Sequence, residues 1–470
     1  MKKIFGLTLF CIIASYANAQ HTTTISGKLL NCTDIVLELN PSTGNFRDSI
    51  KVNADGTFNY TTTQIKTPFR ANLTNRKQIQ IQLFVAPGYD LQISADVKDS
   101  KTSKSTLKYE GLGSKTNKYW EDVMGKINTD TVKWVNKDED TYISYLKSSA
   151  SNTDLIDKNF NANNEEPFSA YFKQSLLLDK KFSNFLSIYS SYAYKYSYKW
   201  PQIQNMIAKL GYKPLLEEFK DERNLASLAF SYLVTEYPFY FDTYNAFPAD
   251  SLVKNAGNYS LYLADKFYKG KVYDYYATQQ IELSLKFIYK IEDFEKLKPY
   301  ITKIGDINLK NKIKSFEDSR IKDVMNLLPG APSPLFNLAD TSGNFHQLAN
   351  MKGRVIYIDL WASWCGPCKE ETPYLKKIYE QLKNNDKVQI ISIASFDAKN
   401  RARRYEIIKK DQMNWLQLED TEDSFAKSYL ANSIPRFIII DKQGKIVNSD
   451  AVRPSDPEKL MAILNREINK

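Results

Sequence analysis

Cys365 and Cys368, with Gly366-Pro367 between them, are the residues of this chain whose types and spacing best suit chemistry. They follow the apolar run Val355-Ile356-Tyr357-Ile358-Asp359-Leu360-Trp361 and precede a helix-like stretch. Two thiols within one helical turn can open and close a disulfide. The thiolate of the first can attack a disulfide of another molecule through a mixed-disulfide intermediate. A Cys-x-x-Cys is also half of a zinc site, but zinc needs further Cys or His ligands. Only Cys11, Cys32, His21 and His346 remain, with no second pair at ligand spacing. Redox chemistry without a metal is the expectation.

A cysteine at a helix N-terminus has its thiolate favoured by unpaired N–H groups and the positive end of the helix dipole. That casts Cys365 as the attacking thiol and Cys368, shielded one turn in, as the resolving one. Asp359 lies six residues before Cys365, inside an apolar strand. A carboxyl group desolvated there has a raised pKa and could accept the proton of Cys368. The plainer alternative is that side-chain alternation turns it to solvent. Glu371 is a candidate second acid, with a surface salt bridge to a nearby lysine as its alternative. Ile434-Pro435 precedes the strand-like Phe437-Ile438-Ile439-Ile440 and is a candidate cis peptide whose loop could face Cys365. Pro373 falls inside the predicted helix and is expected to kink it.

The elements that must position these residues follow a helix-hostile linker, Leu328-Pro329-Gly330-Ala331-Pro332-Ser333-Pro334. The pattern predicts a strand pair over 335–348, a buried strand at 354–361, a helix over 366–384 and a strand at 387–395. A basic helix over 398–411, a short helix near 423–430, strands at 436–440 and 445–448 and a helix over 457–468 complete the order. Upstream, period-2 alternation in stretches such as Ile35-Val36-Leu37-Glu38-Leu39 and Gln80-Ile81-Gln82-Leu83 predicts strands, with turns at Asn40-Pro41, Asp55-Gly56 and Pro87-Gly88. From about 113 the period becomes helical. The tyrosine-dense stretch from Tyr189 to Trp200 reads as amphipathic packing, with a sugar- or peptide-binding face as the sharper alternative. The expected architecture is multidomain: an antiparallel β-sandwich over 20–112, an α-helical region over 113–325 and an α/β domain over 326–470.

Trp361-Ala362-Ser363-Trp364-Cys365-Gly366-Pro367-Cys368-Lys369 resembles the thioredoxin active site. The wider pattern over 326–470 resembles the TlpA/ResA branch of exported thiol–disulfide oxidoreductases. It includes Pro334-Leu335-Phe336-Asn337-Leu338, Lys352-Gly353, Glu370-Glu371-Thr372-Pro373 and Pro435 followed by Asp441 and Gly444. The resemblance implies a thioredoxin-like fold in which Cys365 attacks, Cys368 resolves, Asp359 is the buried acid and Pro435 is a cis-proline beside the cysteines. Trp364, Gly366, Pro367, Ile434 and Pro435 would then contact substrate. Arg436 stands where the family commonly has a small polar residue. The first 325 residues resemble, in architecture alone, the long N-terminal extensions of TlpA-like proteins in some Gram-negative bacteria.

Residues 1–19 read as a secretory signal: Lys2-Lys3, an apolar stretch from Ile4 to Ala14, and Ala17-Asn18-Ala19 as the cleavage site. Cleavage after Ala19 and a periplasmic or cell-envelope location are expected. The chain is basic, +10 overall, but its basic clusters (Arg76-Lys77, Lys180-Lys181, Arg401 to Arg404, Lys409-Lys410) are scattered. They read as solvated surface charge, and no nucleic-acid partner is expected. Cys32 reads as a small buried hydrophobe. The function expected is reduction of protein disulfides without a cofactor, with re-reduction by a membrane thiol donor. The Gly-Pro dipeptide leans that way, since thioredoxin lies at about −270 mV and the oxidant DsbA at about −120 mV. The rivals are a disulfide oxidase or isomerase, and an envelope scaffold protein. In either case residues 22–325 are a candidate surface for an envelope protein or a glycan.

Overall fold

A computed structural model describes residues 22–32, 35–41, 48–75, 79–124, 138–148, 156, 160, 166–194, 197–198, 200–211, 218–242 and 259–470. The signal-like segment 1–19 lies outside the described residues. The chain divides into two compact units, Met1–Asp250 with Leu263–Tyr276, and Ser251–Tyr262 with Ala277–Lys470. Among the described residues no helix is long and apolar enough to cross a membrane.

The first unit opens with β1 (Thr23–Leu30), β2 (Val36–Pro41), β3 (Asp48–Lys51), β4 (Thr57–Thr62), β5 (Phe69–Thr74), β6 (Gln80–Val85), β7 (Asp90–Asp96) and β8 (Lys108–Leu112). They form two sheets, β4-β1-β7-β8 and β3-β2-β5-β6. Alternate residues of both sheets, among them Ile25, Leu37, Leu39, Ile81, Leu83, Leu91 and Ile93, meet in one core. The sandwich is not wholly antiparallel, because β1 and β7 pair in parallel with Thr24 opposite Asp90. A parallel pair needs a crossover, and the intervening strands supply it by including the whole second sheet. Asn40-Pro41 is not a turn but the end of β2, opposite Asn72 and Ala71. Helices Ser114–Met124, Glu139–Ser148, Ser169–Ile188, Trp200–Lys209 and Leu228–Asp242 follow. Phe84 and Tyr89 of the sandwich share a core with Tyr119, Trp120 and Phe172 of the helices. Within the tyrosine-dense stretch, Tyr189 and Tyr192 are buried, and Tyr192 packs on Tyr142, as the packing reading requires. Cys32 is a buried free cysteine.

The second unit contains β9 (Asn337–Asp340), β10 (Phe345–Gln347), β11 (Val355–Trp361), β12 (Val388–Ala394), β13 (Leu416–Glu419), β14 (Arg436–Ile440) and β15 (Ile446–Asn448) in one sheet ordered β10-β9-β13-β12-β11-β14-β15. Its helices include α1 (Ile307–Met325), α2 (Gly366–Leu382), α3 (Arg401–Lys410), α4 (Ser424–Ser428) and α5 (Pro457–Ile468), with the short helices Ile291–Glu295 and Lys298–Lys303 ahead of α1. β11, β12 and β13 run parallel, and β14 runs against β11. All seven residues of β11 are buried, as expected of a central strand covered on both faces. Its odd positions Val355, Tyr357 and Trp361 meet Leu375 and Ile378 of α2 and Leu460 and Leu464 of α5. Its even positions Ile356, Ile358 and Leu360 face Phe336, Phe425 and Tyr429.

Three features of this unit add to the expected pattern. β13 was not anticipated, because Leu-Gln-Leu-Glu is four residues long and half polar. The 328–334 linker is bonded to the sheet margin, with Gly330 N–H donating to Ile446 O at 2.7 Å and Ser333 N–H to Gly444 O at 3.0 Å. α2 runs through Pro373 as one helix from Gly366 to Leu382.

The loop after β12 is tied down by Asp420, 1% exposed. Its carboxylate accepts from Ser395 Oγ at 3.0 Å, Phe425 N–H at 3.2 Å and Ala426 N–H at 3.0 Å. Asp420→Ala strands two buried N–H groups, so it is expected to cost about 2–4 kcal/mol, read as a lower urea midpoint for this unit.

Candidate active site

The site grows from the end of β11. After Trp361 the chain turns at Ser363, whose N–H donates to Asp397 Oδ2 at 2.6 Å and whose hydroxyl donates to Oδ1 at 3.1 Å. Asp397 is itself buried and accepts from Asn400 Nδ2 at 2.7 Å. Arg404 donates to the Asp397 carbonyl oxygen and to Glu419 Oε1 at 2.7 Å. Arg404 is therefore not the solvated charge expected of the 401–404 cluster. It is buried because this loop and Glu419 supply the partners that a buried guanidinium needs. Trp364 is half exposed, with its indole N–H on Phe396 O at 2.9 Å.

Cys365 then takes an extended conformation at the N-cap of α2, and its Sγ accepts from Cys368 N–H at 3.1 Å. Pro367 fits the first turn, where its missing N–H costs nothing. Cys365 and Cys368 are joined as a disulfide. Both are nearly buried, at 3% and 4% exposed, while Trp364, Gly366 and Pro367 form an exposed rim around them.

Asp359 occupies an odd position of β11, on the sheet face that α2 covers. Side-chain alternation does not turn it to solvent. It is 5% exposed, and its Oδ2 accepts from Ser392 Oγ at 2.8 Å. Ser392 Oγ in turn accepts from Trp415 Nε1 at 2.8 Å. Burial pushes the Asp359 carboxyl up to about 7, against the pull of the Ser392 hydrogen bond, and the nearby Glu371 carboxylate pushes the same way as burial. Glu371, on α2, is buried as well and bonds Ser455 N–H and Oγ, each at 2.9 Å. Arg453 lies 3.8 Å away. The surface lysine pairing considered for Glu371 is not found, because this part of α2 faces the loop before α5.

Ile434–Pro435 is a cis peptide. The register sets Arg436 opposite Leu360, so Pro435 falls beside Trp361 at the end of the strand that leads to Cys365. Ile434 packs against the core cluster that contains both cysteines. The structure thus gathers the cysteine pair, its rim, Asp359 and the Ile434–Pro435 loop at one end of the sheet. Ser392, Trp415, Ser363 and Asp397 were not anticipated. The serine carried a usable signal, since a lone polar residue in Ile390-Ile391-Ser392-Ile393 calls for a buried partner on the next strand.

The fold and site define a thioredoxin-like domain, and the Redoxin family matches residues 328–464. The chain therefore carries a Redoxin domain at its C-terminus, preceded by a long N-terminal extension. It is similar to the thiol-disulfide oxidoreductase ResA of Bacillus subtilis, 29% identical over 118 residues that cover 25% of this chain and 64% of that protein. For ResA of Geobacillus thermodenitrificans the figures are 26% over 117 residues, 25% and 66%. The chain thus spans just under two thirds of the length of these relatives. Among solved structures it is similar to the thioredoxin domain of a thiol-disulfide oxidoreductase from Bacteroides vulgatus, 27% identical over 30% of this chain and 99% of that one, with a TM-score of 0.27. A thiol-disulfide oxidoreductase from Bacteroides fragilis is 27% identical over 28% of this chain and 99% of that one, with a TM-score of 0.26.

The buried carboxyl has a consequence for stability. Its folded-state pKa, about 7, lies above the unfolded value near ~3.9, so between those pH values the native protein holds the extra proton. Stability must then fall as pH rises from about 4 to about 7, and stay lower above that. Asp359→Asn removes this slope. In denaturant titrations the variant is expected to match the wild type near pH ~4 and to exceed it by roughly 2–4 kcal/mol at pH ~8.5.

Proposed function

We propose that the protein is an exported thiol–disulfide oxidoreductase that reduces disulfides of other proteins. The observation that carries the reading is the Cys365–Cys368 disulfide at the N-terminus of α2, above a buried carboxyl whose pKa is about 7. The similarity to ResA over the same residues supports it, and residues 1–19 support export to the periplasm or cell envelope. In the reduced protein the Cys365 thiolate attacks one sulfur of a substrate disulfide. The substrate S–S bond breaks, one substrate thiolate leaves, and a mixed disulfide forms. Cys368 gives its proton to the Asp359 carboxylate and attacks Cys365 Sγ, which expels the second substrate thiolate. Two electrons have then passed to the substrate, whose two thiolates take up protons from solvent. Asp359 holds the Cys368 proton until it releases it to solvent, and the protein is left in the disulfide form. A dithiol donor, in this reading a membrane protein, returns them.

Near neutral pH a carboxyl with a pKa of about 7 can both accept and release a proton, which is what an acid–base group in a reversible cycle requires. The exposed rim of Trp364, Gly366 and Pro367, with Ile434 and Pro435 opposite, is the surface against which a substrate polypeptide would lie.

The test is trapping. Reduced Cys368→Ser is expected to accumulate a mixed disulfide with a substrate protein, and Cys365→Ser to form none. Asp359→Asn is expected to leave the first step unchanged and to slow release at pH ~7 by about 10²-fold, followed in single turnover by quenched-flow gel analysis. No trapped species with Cys368→Ser would leave the domain a scaffold, and an unchanged release rate would remove Asp359 from the mechanism.

A further inference from the structure

The loop that carries cis-Pro435 is gripped on both sides by a segment preceding the Redoxin domain. Asn432 donates from Nδ2 to Lys286 O at 2.7 Å. Arg436, 3% exposed, holds its guanidinium carbon 3.7 Å from the centroid of the Tyr289 ring. On the same ring lies Arg320 of α1, its guanidinium carbon 5.5 Å from the centroid. Arg320 also donates from Nη2 to Lys286 O at 2.7 Å and to Ile288 O at 3.1 Å. One short stretch, 286–289, therefore has its carbonyls held by Arg320 and Asn432 and its ring shared between two buried guanidinium groups.

This arrangement is costly. Arg436 donates from Nε to Ser449 O at 2.7 Å, and Asp450 lies 3.5 Å away. Its Nη2, and Nε of Arg320, are buried without partners. A buried cation with incomplete hydrogen bonding is expensive, and an apolar side chain usually anchors a strand at lower cost. β14 needs no such anchor, because its backbone already pairs with both β11 and β15. What the ring adds is a directional contact, since a guanidinium over an aromatic face is held in orientation as well as in place. That orientation is imposed on the residue next to Pro435, while the Asn432 bond fixes the other end of the loop.

We propose that residues 286–289, through Tyr289, are a positioning element for the cis-proline loop, so that the chain upstream of the Redoxin domain governs how disulfide-bearing polypeptides are held against Cys365. The inference rests on the redox reading above and deepens it. Tyr289 acts through Arg436 and touches neither the cysteines nor substrate. A small disulfide, which needs only Cys365, is indifferent to the loop, whereas a polypeptide lying along it is not.

The experiment compares full-length wild type with Tyr289→Leu, Tyr289→Phe and Asn432→Ala. Each is assayed for reduction of insulin disulfides and of the small aryl disulfide dithionitrobenzoate, and for the equilibrium potential of the Cys365–Cys368 pair. Tyr289→Leu is expected to raise KM for insulin about tenfold, in line with a displaced binding loop, while the small-disulfide rate and the potential stay put. Tyr289→Phe keeps the ring face that Arg436 covers and should behave as wild type. Asn432→Ala, at an exposed position, should move KM in the same direction and decides the matter if Tyr289→Leu fails to fold. An unchanged insulin KM in these variants overturns the inference. So does an equal loss on both substrates with a shifted potential, which would make the ring a structural support only. A wild type that reduces neither disulfide overturns the redox reading itself, and this inference with it.

Discussion

A carboxyl group sits in the core beneath the active-site helix with a hydroxyl, and no cation, as its hydrogen-bond partner. Asp359 can be held there only because β11 is central, with a parallel strand on one side and an antiparallel strand on the other. The parallel neighbour brings Ser392 level with Asp359, and the next strand begins just after Trp415, which orients the serine. Ser392 Oγ accepts from the indole and donates to the carboxylate, so the direction of both bonds is set. Neutralising the carboxyl is cheaper than burying its charge, and with its pKa raised to about 7 the group can exchange a proton near neutral pH.

The same group makes the domain less stable than it could be. A neutral side chain at 359 would remove a desolvation penalty, and an apolar one at 371 would remove the second buried carboxylate that adds to it. Both acids are instead built into the frame. Glu371 ties α2 to Ser455 ahead of α5, and Asp359 is tied to β12. On the other side of the cysteines, the Ser363–Asp397 bonds hold the approach to Cys365 against the loop after β12, with Arg404 behind it. Cys365 is thus framed by segments distant in sequence and joined by polar contacts, which tolerate little displacement because their partners are buried.

The disulfide of Cys365 and Cys368 was legible because their spacing alone restricts what they can do. The order of elements after residue 328 was legible because β11, β12 and β14 are strongly apolar runs, broken only by Asp359 in β11 and Gln389 and Ser392 in β12, with Arg436 at the start of β14. β13 escaped notice, since four alternating residues are shorter than any periodicity can establish. The parallel β1–β7 pair was hidden for a different reason: alternation reports which face is buried and says nothing of strand direction. Asp359 posed a question that sequence could raise but not answer, as its burial depends on which face α2 covers. Arg404 was misleading as a charge, because a guanidinium is buried or solvated according to partners that are remote in sequence.

Residues upstream of the Redoxin domain reach the cis-proline loop through Tyr289, so the extension and the redox site are not independent within this unit. The measurement that bears most directly on the proposed activity is the equilibrium reduction potential of the Cys365–Cys368 pair in the full-length protein, titrated against dithiothreitol or glutathione. A dithiol reductase requires a value near or below about −250 mV. A value above about −150 mV would make the pair a disulfide donor and contradict the account.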